Sequence, residues 1–438
     1  MEATEICRSG AQRTALWAST FAFATCFAVW TIFSIIGVQI KQQLGLNESE
    51  FGLLVATPIL TGSLTRLFLG IWAEQYGGRR VFTTVMLTAA AATWLLTTAS
   101  TYPGFLLAAL AMGVAGGSFA VGVSFVSRWF PPQKQGTALG IFGAGNVGAA
   151  ATNLLAPVVM TAWGWHAVAH LWSAVLAVVA ILFYLLVRDD PGLAQRRAQN
   201  NGSASFRHQL APLKNLQVWR FALYYFFVFG AFVALSLWLP RYLTGAYGMT
   251  IQRAGLITAC FSLPAGLFRV LGGWLSDRIG ARRVMYWTFS VSAVCTFLLS
   301  YPTTSYTVSG IHGPIQFSLA IGLVPFTLLL FVLGFFMSLG SAAVYKHVPT
   351  YYPQRVGAVG GMVGMIGGLG GFVLPIAFGV MNDLVGIWTS CFMLLFVLVT
   401  TALIWMHFTI RRMERSHFPQ IGSETDLPEI MSAAQQER

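Results

Sequence analysis

The chain has 438 residues, of which 56% are hydrophobic and only 9% are charged, whereas soluble globular proteins carry about 25% charged residues. A soluble protein of this length would lack the polar surface to cover itself. The formal net charge of +12 is also typical of nucleic-acid-binding proteins, but here long apolar blocks alternate with short charged segments. This pattern is that of a polytopic membrane protein. We therefore expect a lipid bilayer around the chain and no nucleic-acid partner.

Twelve stretches approach the roughly 20 apolar residues that a transmembrane helix needs. They predict an all-α polytopic membrane protein with twelve transmembrane helices, and the first stretch is too long for the hydrophobic region of a cleaved signal peptide. The predicted spans, numbered 1 to 12 in chain order, are 16–39, 51–73, 81–99, 104–129, 137–160, 168–187, 219–244, 251–276, 284–300, 319–345, 357–381 and 387–410.

The longest polar interruption divides the chain into six spans and six. We therefore expect an N-terminal six-helix half at 1–187, a cytoplasmic linker at 188–218, a C-terminal six-helix half at 219–410 and a cytoplasmic tail at 411–438. The linker and the tail are polar and predict no packed core of their own.

The positions of Lys and Arg predict the orientation, since basic residues are retained on the cytoplasmic side. With the N-terminus inside, 21 of the 26 basic residues fall in cytoplasmic segments, and only Lys41, Arg241 and Arg253 fall outside. We therefore expect both termini in the cytoplasm and the protein in the inner, cytoplasmic membrane. The remaining two, Arg66 and Arg269, lie well inside predicted spans.

The two halves repeat each other in sequence. The segment TRLFLGIWAEQYGGRR at 65–80 matches FRVLGGWLSDRIGARR at 268–283 with a constant offset of 203 residues, which pairs Arg66 with Arg269. Parallel repeats of six spans are typical of transporters whose site lies between two halves. At these residues the chain resembles the major facilitator superfamily, whose loop between helices 2 and 3 carries the signature G-x-x-x-[DE]-x-x-G-x-[RK]-[RK].

The two arginines inside the spans are the strongest functional signal. Each lies eight residues before an acidic residue that ends its span, so both are expected about 12 Å from the cytoplasmic end. A charged residue at that depth costs about 3 kcal/mol and is functional by default. Every acidic residue lies at a span end or in a loop, so an anionic ligand held by forked N–H donors is favoured. The alternative is that both arginines bond only to backbone carbonyls of glycine-rich helices.

Spans 5 and 11 are rich in glycine. The run GAGNVG at 143–148 matches the dinucleotide fingerprint formally, but no strand precedes it and no acidic residue follows at about 20 positions. Closely spaced glycines instead let helices approach, and we expect them to let the two halves move against each other. Asn146, inside this run, is either a helix-packing amide or an anion donor. The predicted packing glycines are Gly140, Gly143, Gly145, Gly148, Gly364, Gly367, Gly368 and Gly371.

Two segments narrow the resemblance. GGSFAVGVSFVSRWFPPQKQGTALGIFGAGNVG at 116–148 and GGMVGMIGGLGGFVLP at 360–375 resemble the paired signatures of the nitrate/nitrite porter family within the superfamily. The resemblance covers the whole chain from span 1 to span 12. It implies nitrate or nitrite held between the arginines of the two halves, an amide donor and aromatic neighbours. Family members can carry a serine in the helix 11 run, which this chain lacks. The implied site residues are Arg66, Arg269, Asn146, Phe119, Tyr225 and Phe229.

The energy source is less defined by the sequence. The chain has no nucleotide-binding P-loop, no acid in mid-span, and histidines only at predicted span ends or in loops. Two unneutralised arginines favour nitrate/nitrite antiport, because an empty site would resist closure, but the resemblance also implies nitrate/proton symport. The alternatives are a carrier of another small anion, such as a short carboxylate, and a nitrate sensor, for which no signalling domain is evident.

No enzyme is predicted, because no span brings together a nucleophile, a base and an orienting group. The five cysteines lack C-x-x-C spacing, so neither a disulfide framework, a metal site nor a cofactor is expected. The expected partners are nitrate and nitrite as small inorganic anions, together with the lipid bilayer, and the protein is expected to be a monomer that serves nitrate assimilation.

Overall fold

The computed structural model describes residues 2–130, 132–189, 215–352 and 356–417. Most of the predicted linker and most of the predicted tail lie outside these residues. The helices of the N-terminal half are α1 (Glu2–Trp30), α2 (Phe33–Leu44), α3 (Glu48–Tyr76), α4 (Gly78–Leu95), α5 (Tyr102–Met112), α6 (Ser118–Trp129), α7 (Pro132–Gly143) and α8 (Gly148–Leu186). Those of the C-terminal half are α9 (Leu216–Tyr225), α10 (Phe232–Ala246), α11 (Ile251–Leu267), α12 (Arg269–Ile279), α13 (Ala281–Leu299), α14 (Leu323–Tyr351), α15 (Val356–Gly368), α16 (Gly370–Val385) and α17 (Ser390–His417).

The helices account for the twelve predicted spans. Nine stretches among the described residues are long and apolar enough to cross a membrane. One of them, Thr137–Leu186, is bent at Gly164, whose φ of 79° and ψ of 170° interrupt the helix, so this stretch holds predicted spans 5 and 6. The pair α11 and α12 forms a tenth stretch, bent by 43°. Helix α13 occupies the predicted position of span 9.

A β-hairpin precedes α14, where the sequence predicted only an external loop and the start of span 10. Strands β1 (Thr304–Gly310) and β2 (Gly313–Leu319) pair antiparallel, with Tyr306 opposite Phe317. Span 10 therefore begins at Leu323 rather than at 319. The segment alternates β-branched or aromatic residues with serine and glutamine, which favours a strand, but its apolar content led to the wrong start for span 10.

The two copies of the sequence repeat have the same backbone geometry. Gly77 and Gly280, the paired glycines of the two signature loops, have φ of 93° and 89° and ψ of 136° and 135°. Positive φ favours glycine because it has no Cβ. The acidic residue before each turn pairs with a basic residue of the same half, namely Glu74 with Arg128 at 3.0 Å and Asp277 with Lys346 at 2.7 Å. The two copies are thus equivalent elements of the two halves.

Besides the turn at 31–32 that separates α1 from α2 in span 1, five breaks in regular α-helix lie in spans 4, 5, 7, 8 and 11 of the described chain. Such departures from α-helical hydrogen bonding often mark functional positions, and none of them was predicted. They are a 3₁₀ turn at Gly113–Gly117, a 3₁₀ turn at Ala144–Val147, a π-helical turn at Phe226–Ala231, the junction of α11 and α12 at Phe268, and the junction of α15 and α16 at Leu369.

The two halves are closed against each other at the predicted external side. An added Cβ at Gly52 of α3 would overlap the backbone oxygen of Pro375 in α16, so these backbones touch. The carboxylate of Asp383 accepts hydrogen bonds from the backbone nitrogens of Glu48 at 3.2 Å and Ser49 at 2.8 Å. It therefore caps α3 from the opposite half, where a helix N-terminus favours negative charge.

Candidate functional site

Both predicted arginines are buried near the middle of the fold. Arg66 lies within α3 and is 4% exposed, and Arg269 is the first residue of α12 and is 5% exposed. Neither guanidinium pairs with a carboxylate in the part of the chain that the structure describes. Two positive charges in one buried region repel each other and lose their hydration, which is unfavourable unless an opposite charge is supplied.

Arg66 is held by backbone oxygens of both halves. Its Nη1 donates to the Gly364 oxygen of α15 at 2.9 Å, and its Nε donates to the Gly116 oxygen at 3.4 Å. Its guanidinium carbon lies 5.6 Å from the ring centre of Trp30 and 5.2 Å from that of Phe229. The alternative that the arginines bond to carbonyls of glycine-rich helices therefore describes part of the surroundings of Arg66.

Arg269 has different surroundings. Its Nη2 donates to the Tyr225 hydroxyl at 3.2 Å, whereas its Nη1 is buried with no hydrogen-bond partner among the described residues. A buried charged donor without a partner is costly, so this N–H group is suited to an acceptor that the protein itself does not provide. The guanidinium carbon lies 5.5 Å from the ring centre of Tyr345.

One aromatic ring lies next to both arginines. The ring centre of Phe119 is 5.4 Å from the guanidinium carbon of Arg66 and 5.5 Å from that of Arg269. Tyr225 and Phe229 stack on each other with centroids 4.9 Å apart and their planes at 6°. The three aromatic residues implied by the resemblance are therefore gathered around the two guanidinium groups.

Two further aromatic residues belong to this cluster and were not predicted. Trp30 lies beside Arg66, and Tyr345 of α14 meets Tyr225 edge to face at 5.0 Å. In a chain with 14% aromatic residues, composition gives no signal for either of them. The only signal available for Tyr345 is that it ends the predicted span 10.

Asn146 is fully buried in the 3₁₀ turn between α7 and α8. Its Oδ1 has no hydrogen-bond partner in the described part of the chain. Three residues earlier, an added Cβ at Gly143 would lie 2.9 Å from Cδ of Arg269. The glycine run thus brings a partly unsatisfied amide to the region of Arg269.

The predicted packing glycines divide into three groups. Gly140, Gly143 and Gly368 face the opposite half, Gly143 at Arg269 and Gly368 at Arg66. Gly364 and Gly371 contact both halves. The remaining three allow close approach within one half, because Gly145 and Gly148 pack on α1 and Gly367 packs on Tyr225.

His347 lies at the end of the apolar stretch Leu323–Val348, in agreement with the prediction that histidines lie at span ends or in loops, but its side chain is buried. Helix α14 continues to Tyr351, which carries this side chain inside the helix bundle, and it is buried. Its Nδ1 lies 2.8 Å from the Ala343 oxygen, and its ring packs on Phe221. Span 10 was predicted to end at 345, whereas the apolar stretch continues to Val348.

Comparison with known proteins assigns this chain to a family. The sequence pattern of the Major Facilitator Superfamily matches residues 18–255 and 242–432. The chain is 41% identical over 428 residues, or 94% of its length, to a probable nitrate/nitrite antiporter NarK1 of Thermus thermophilus, of which it covers 95%. The chain belongs to the nitrate/nitrite porter family of the major facilitator superfamily. This major facilitator is accordingly a transporter and not an enzyme, and the resemblance noted in its sequence is confirmed.

Other relatives agree with this membership. A nitrite extrusion protein of Bacillus subtilis (strain 168) is 31% identical over 393 residues, covering 88% of this chain and 92% of the relative. Among solved structures, a bacterial homologue of the human lysosomal transporter Spinster, captured inward-facing and occupied, has a TM-score of 0.68 at 15% identity, covering 92% of this major facilitator and 97% of that chain. At this identity the similarity supports the fold alone.

Proposed function

We propose that this protein carries nitrate and nitrite across the cytoplasmic membrane by alternating access, binding the anion between Arg66 and Arg269. The observation that carries the proposal is two buried guanidinium groups from opposite halves beside one shared ring, without a carboxylate partner among the described residues. An anion in this position supplies the missing negative charge and an acceptor for Nη1 of Arg269.

Nitrate fits these groups in shape and charge. It is flat, delocalised and weakly hydrated, so aromatic faces and planar N–H donors suit it better than they suit tetrahedral sulfate or phosphate. Phe119, Tyr225 and Phe229 provide the ring faces, and Asn146 provides an amide. The relatives named for nitrate and nitrite support the same choice of substrate.

The distribution of contacts between the halves supports alternating access. Backbones touch at Gly52 and Pro375 on the predicted external side, so the anion in this conformation has no direct external path there. We propose that the halves rock about the arginine level, with both termini in the cytoplasm, in a monomer. Antiport of nitrate and nitrite is the favoured coupling, because an empty site leaves two like charges unneutralised and opposes reorientation.

The test is transport by purified protein in liposomes that contain nitrite, with labelled nitrate outside. Arg66→Ala and Arg269→Ala should each reduce uptake by roughly 100-fold or more, because removal of one partner from a buried charge pair costs at least about 3 kcal/mol. Arg66→Lys should fail as well, because an ammonium lacks the planar fork. The control is Arg253→Ala, which changes an exposed arginine at the start of α11 and should transport normally.

Two results would contradict the proposal. Near-normal nitrate uptake by both alanine variants, at wild-type expression, would rule out binding of the anion between Arg66 and Arg269, the arrangement called here the arginine clamp. Stronger competition by unlabelled oxalate than by nitrate or nitrite would assign the site to a short carboxylate instead.

A further inference from the structure

Ser63 is a buried hydroxyl in α3 that the site described above does not use. It is fully buried, and its Oγ has no hydrogen-bond partner among the described residues. Hydroxyl side chains inside a helix commonly donate to the carbonyl four residues earlier. Thr57 and Thr65 of the same helix do so, at 2.6 Å to the Leu53 oxygen and 2.8 Å to the Thr61 oxygen. Ser63 departs from this pattern.

The hydroxyl lies next to the guanidinium of Arg66. An added Cβ at Gly368 of α15 would be 2.7 Å from Oγ of Ser63 and 3.2 Å from Nη1 of Arg66. Both polar atoms therefore border the position that a side chain of residue 368 would occupy. Ser63 precedes Arg66 by three residues, so the two side chains lie on the same face of α3.

We propose that Ser63 is a ligand of the transported anion and donates its O–H to an anion oxygen beside Arg66. The inference rests on the proposed function. It adds to the two guanidinium groups a hydroxyl from the helix that carries Arg66. A buried hydroxyl without a partner is unfavourable, and an anion oxygen relieves this cost. Nitrate has three oxygens in one plane, so it can accept from a guanidinium and from a hydroxyl together.

The first experiment measures nitrate exchange in liposomes with Ser63→Ala. The apparent KM for nitrate should rise roughly tenfold, as expected for the loss of a hydrogen bond to a charged group, while expression and thermal stability stay at wild-type values. The matched control is Ser292→Ala in α13. Its Oγ is likewise buried without a partner among the described residues, and the apparent KM of this variant should not change.

A second experiment moves the hydroxyl across the site. Gly368→Ser alone should reduce transport strongly, because its Cβ meets both Oγ of Ser63 and Nη1 of Arg66. The double variant Ser63→Ala with Gly368→Ser vacates the first position and places a hydroxyl in the same volume. We expect it to transport better than Gly368→Ser and to bind nitrate more tightly than Ser63→Ala.

The outcomes separate this inference from the proposed function. An unchanged KM for Ser63→Ala, together with loss of transport in Arg66→Ala, would overturn the role of Ser63 and leave the arginine clamp in place. A double variant no better than either single variant would also overturn it. Normal transport by the arginine variants would overturn both the arginine clamp and the role of Ser63.

Discussion

Two polar side chains of the site, Arg269 and Asn146, have a buried atom without a hydrogen-bond partner among the described residues. Arg269 donates to Tyr225 through one nitrogen and leaves the other without a partner among the described residues. The amide oxygen of Asn146, which is an acceptor, also has no partner there, and only the Nδ2–H group of this amide can donate to an anion. Buried polar atoms are normally hydrogen-bonded, so exceptions that cluster beside two arginines mark a place for a ligand rather than a structural defect.

Asn146→Ala should weaken nitrate binding by about 1.5 to 3 kcal/mol, because it removes one hydrogen bond to a charged group. The measurement is the apparent KM in liposome exchange. The matched control is Asn153→Ala, since this buried amide already accepts from Ser34 at 2.9 Å and faces the Ser236 oxygen at 3.4 Å. The control should lower thermal stability and leave the KM unchanged. If both variants shifted the KM equally, Asn146 would be a packing amide.

At the residue level, the sequence predicted site residues that composition alone could not have identified. Arg66 and Arg269 were found from physical reasoning, since charges inside spans are rare and costly. Phe119, Tyr225 and Phe229 came only from the family resemblance, and the structure gathers them at the arginines, while their roles stay predictions. Ser63 was missed because a single serine in a span has no distinguishing pattern.

Among the elements, the close contact between α3 and α16 has the clearest mechanical meaning. Gly52 allows the backbone of Pro375 to approach, and Asp383 of α16 caps the first turn of α3. These contacts join the two halves on the predicted external side. They must separate before the site can open there.

Gly52→Ala should shift the protein towards the externally open form. Its methyl group would overlap a backbone oxygen, and such overpacking costs about 1 to 3 kcal/mol. The measurement is the rate at which an impermeant maleimide labels a cysteine introduced as Val55→Cys, one turn deeper in α3 and buried in this structure. The control is Gly273→Ala, where an added Cβ has no atom within 4 Å. Equal labelling rates in both variants would argue against this closure.

Element boundaries were predictable only where apolar content changes. Helix α3 ends and helix α4 begins at a charged loop. This loop and its copy in the C-terminal half were both identified from the sequence. The 3₁₀ turns at Gly113–Gly117 and Ala144–Val147 escaped prediction, because hydrophobic residues continue through them. The hairpin of β1 and β2 was predicted as an external loop, because its polar and glycine residues keep it from resembling a span.

At the scale of the whole molecule, exposed tryptophans agree with a bilayer around the helices. Half-exposed or more exposed indole rings lie near span ends, where the amphipathic side chain matches the boundary between lipid and water. This distribution was not visible from composition, since it depends on which rings the fold buries. The exposed tryptophans are Trp17, Trp72, Trp94, Trp163, Trp219, Trp274 and Trp287.

The transport cycle as a whole should depend on an anion on both sides. With antiport, nitrate entry into liposomes should fall at least roughly tenfold when internal nitrite and nitrate are removed, because reorientation of the empty site leaves two like charges facing each other. The measurement varies internal nitrite and the pH gradient independently. Rapid uptake driven by a pH gradient into anion-free liposomes would instead establish proton symport, with buried His347 as the first residue to replace.

The breaks in spans 4, 5, 7, 8 and 11 give the site a second property. Each lies at a residue that touches or adjoins Arg66 or Arg269: Gly116, Gly143, Phe229, Phe268 and Gly368. When a ligand displaces one side of a continuous helix, the whole helix tilts. In a helix that is interrupted at that level, one segment can change its direction while the other stays in place. A bound anion would therefore lie where five helices are interrupted. Binding or release of the anion would then change the bend angles of these helices directly.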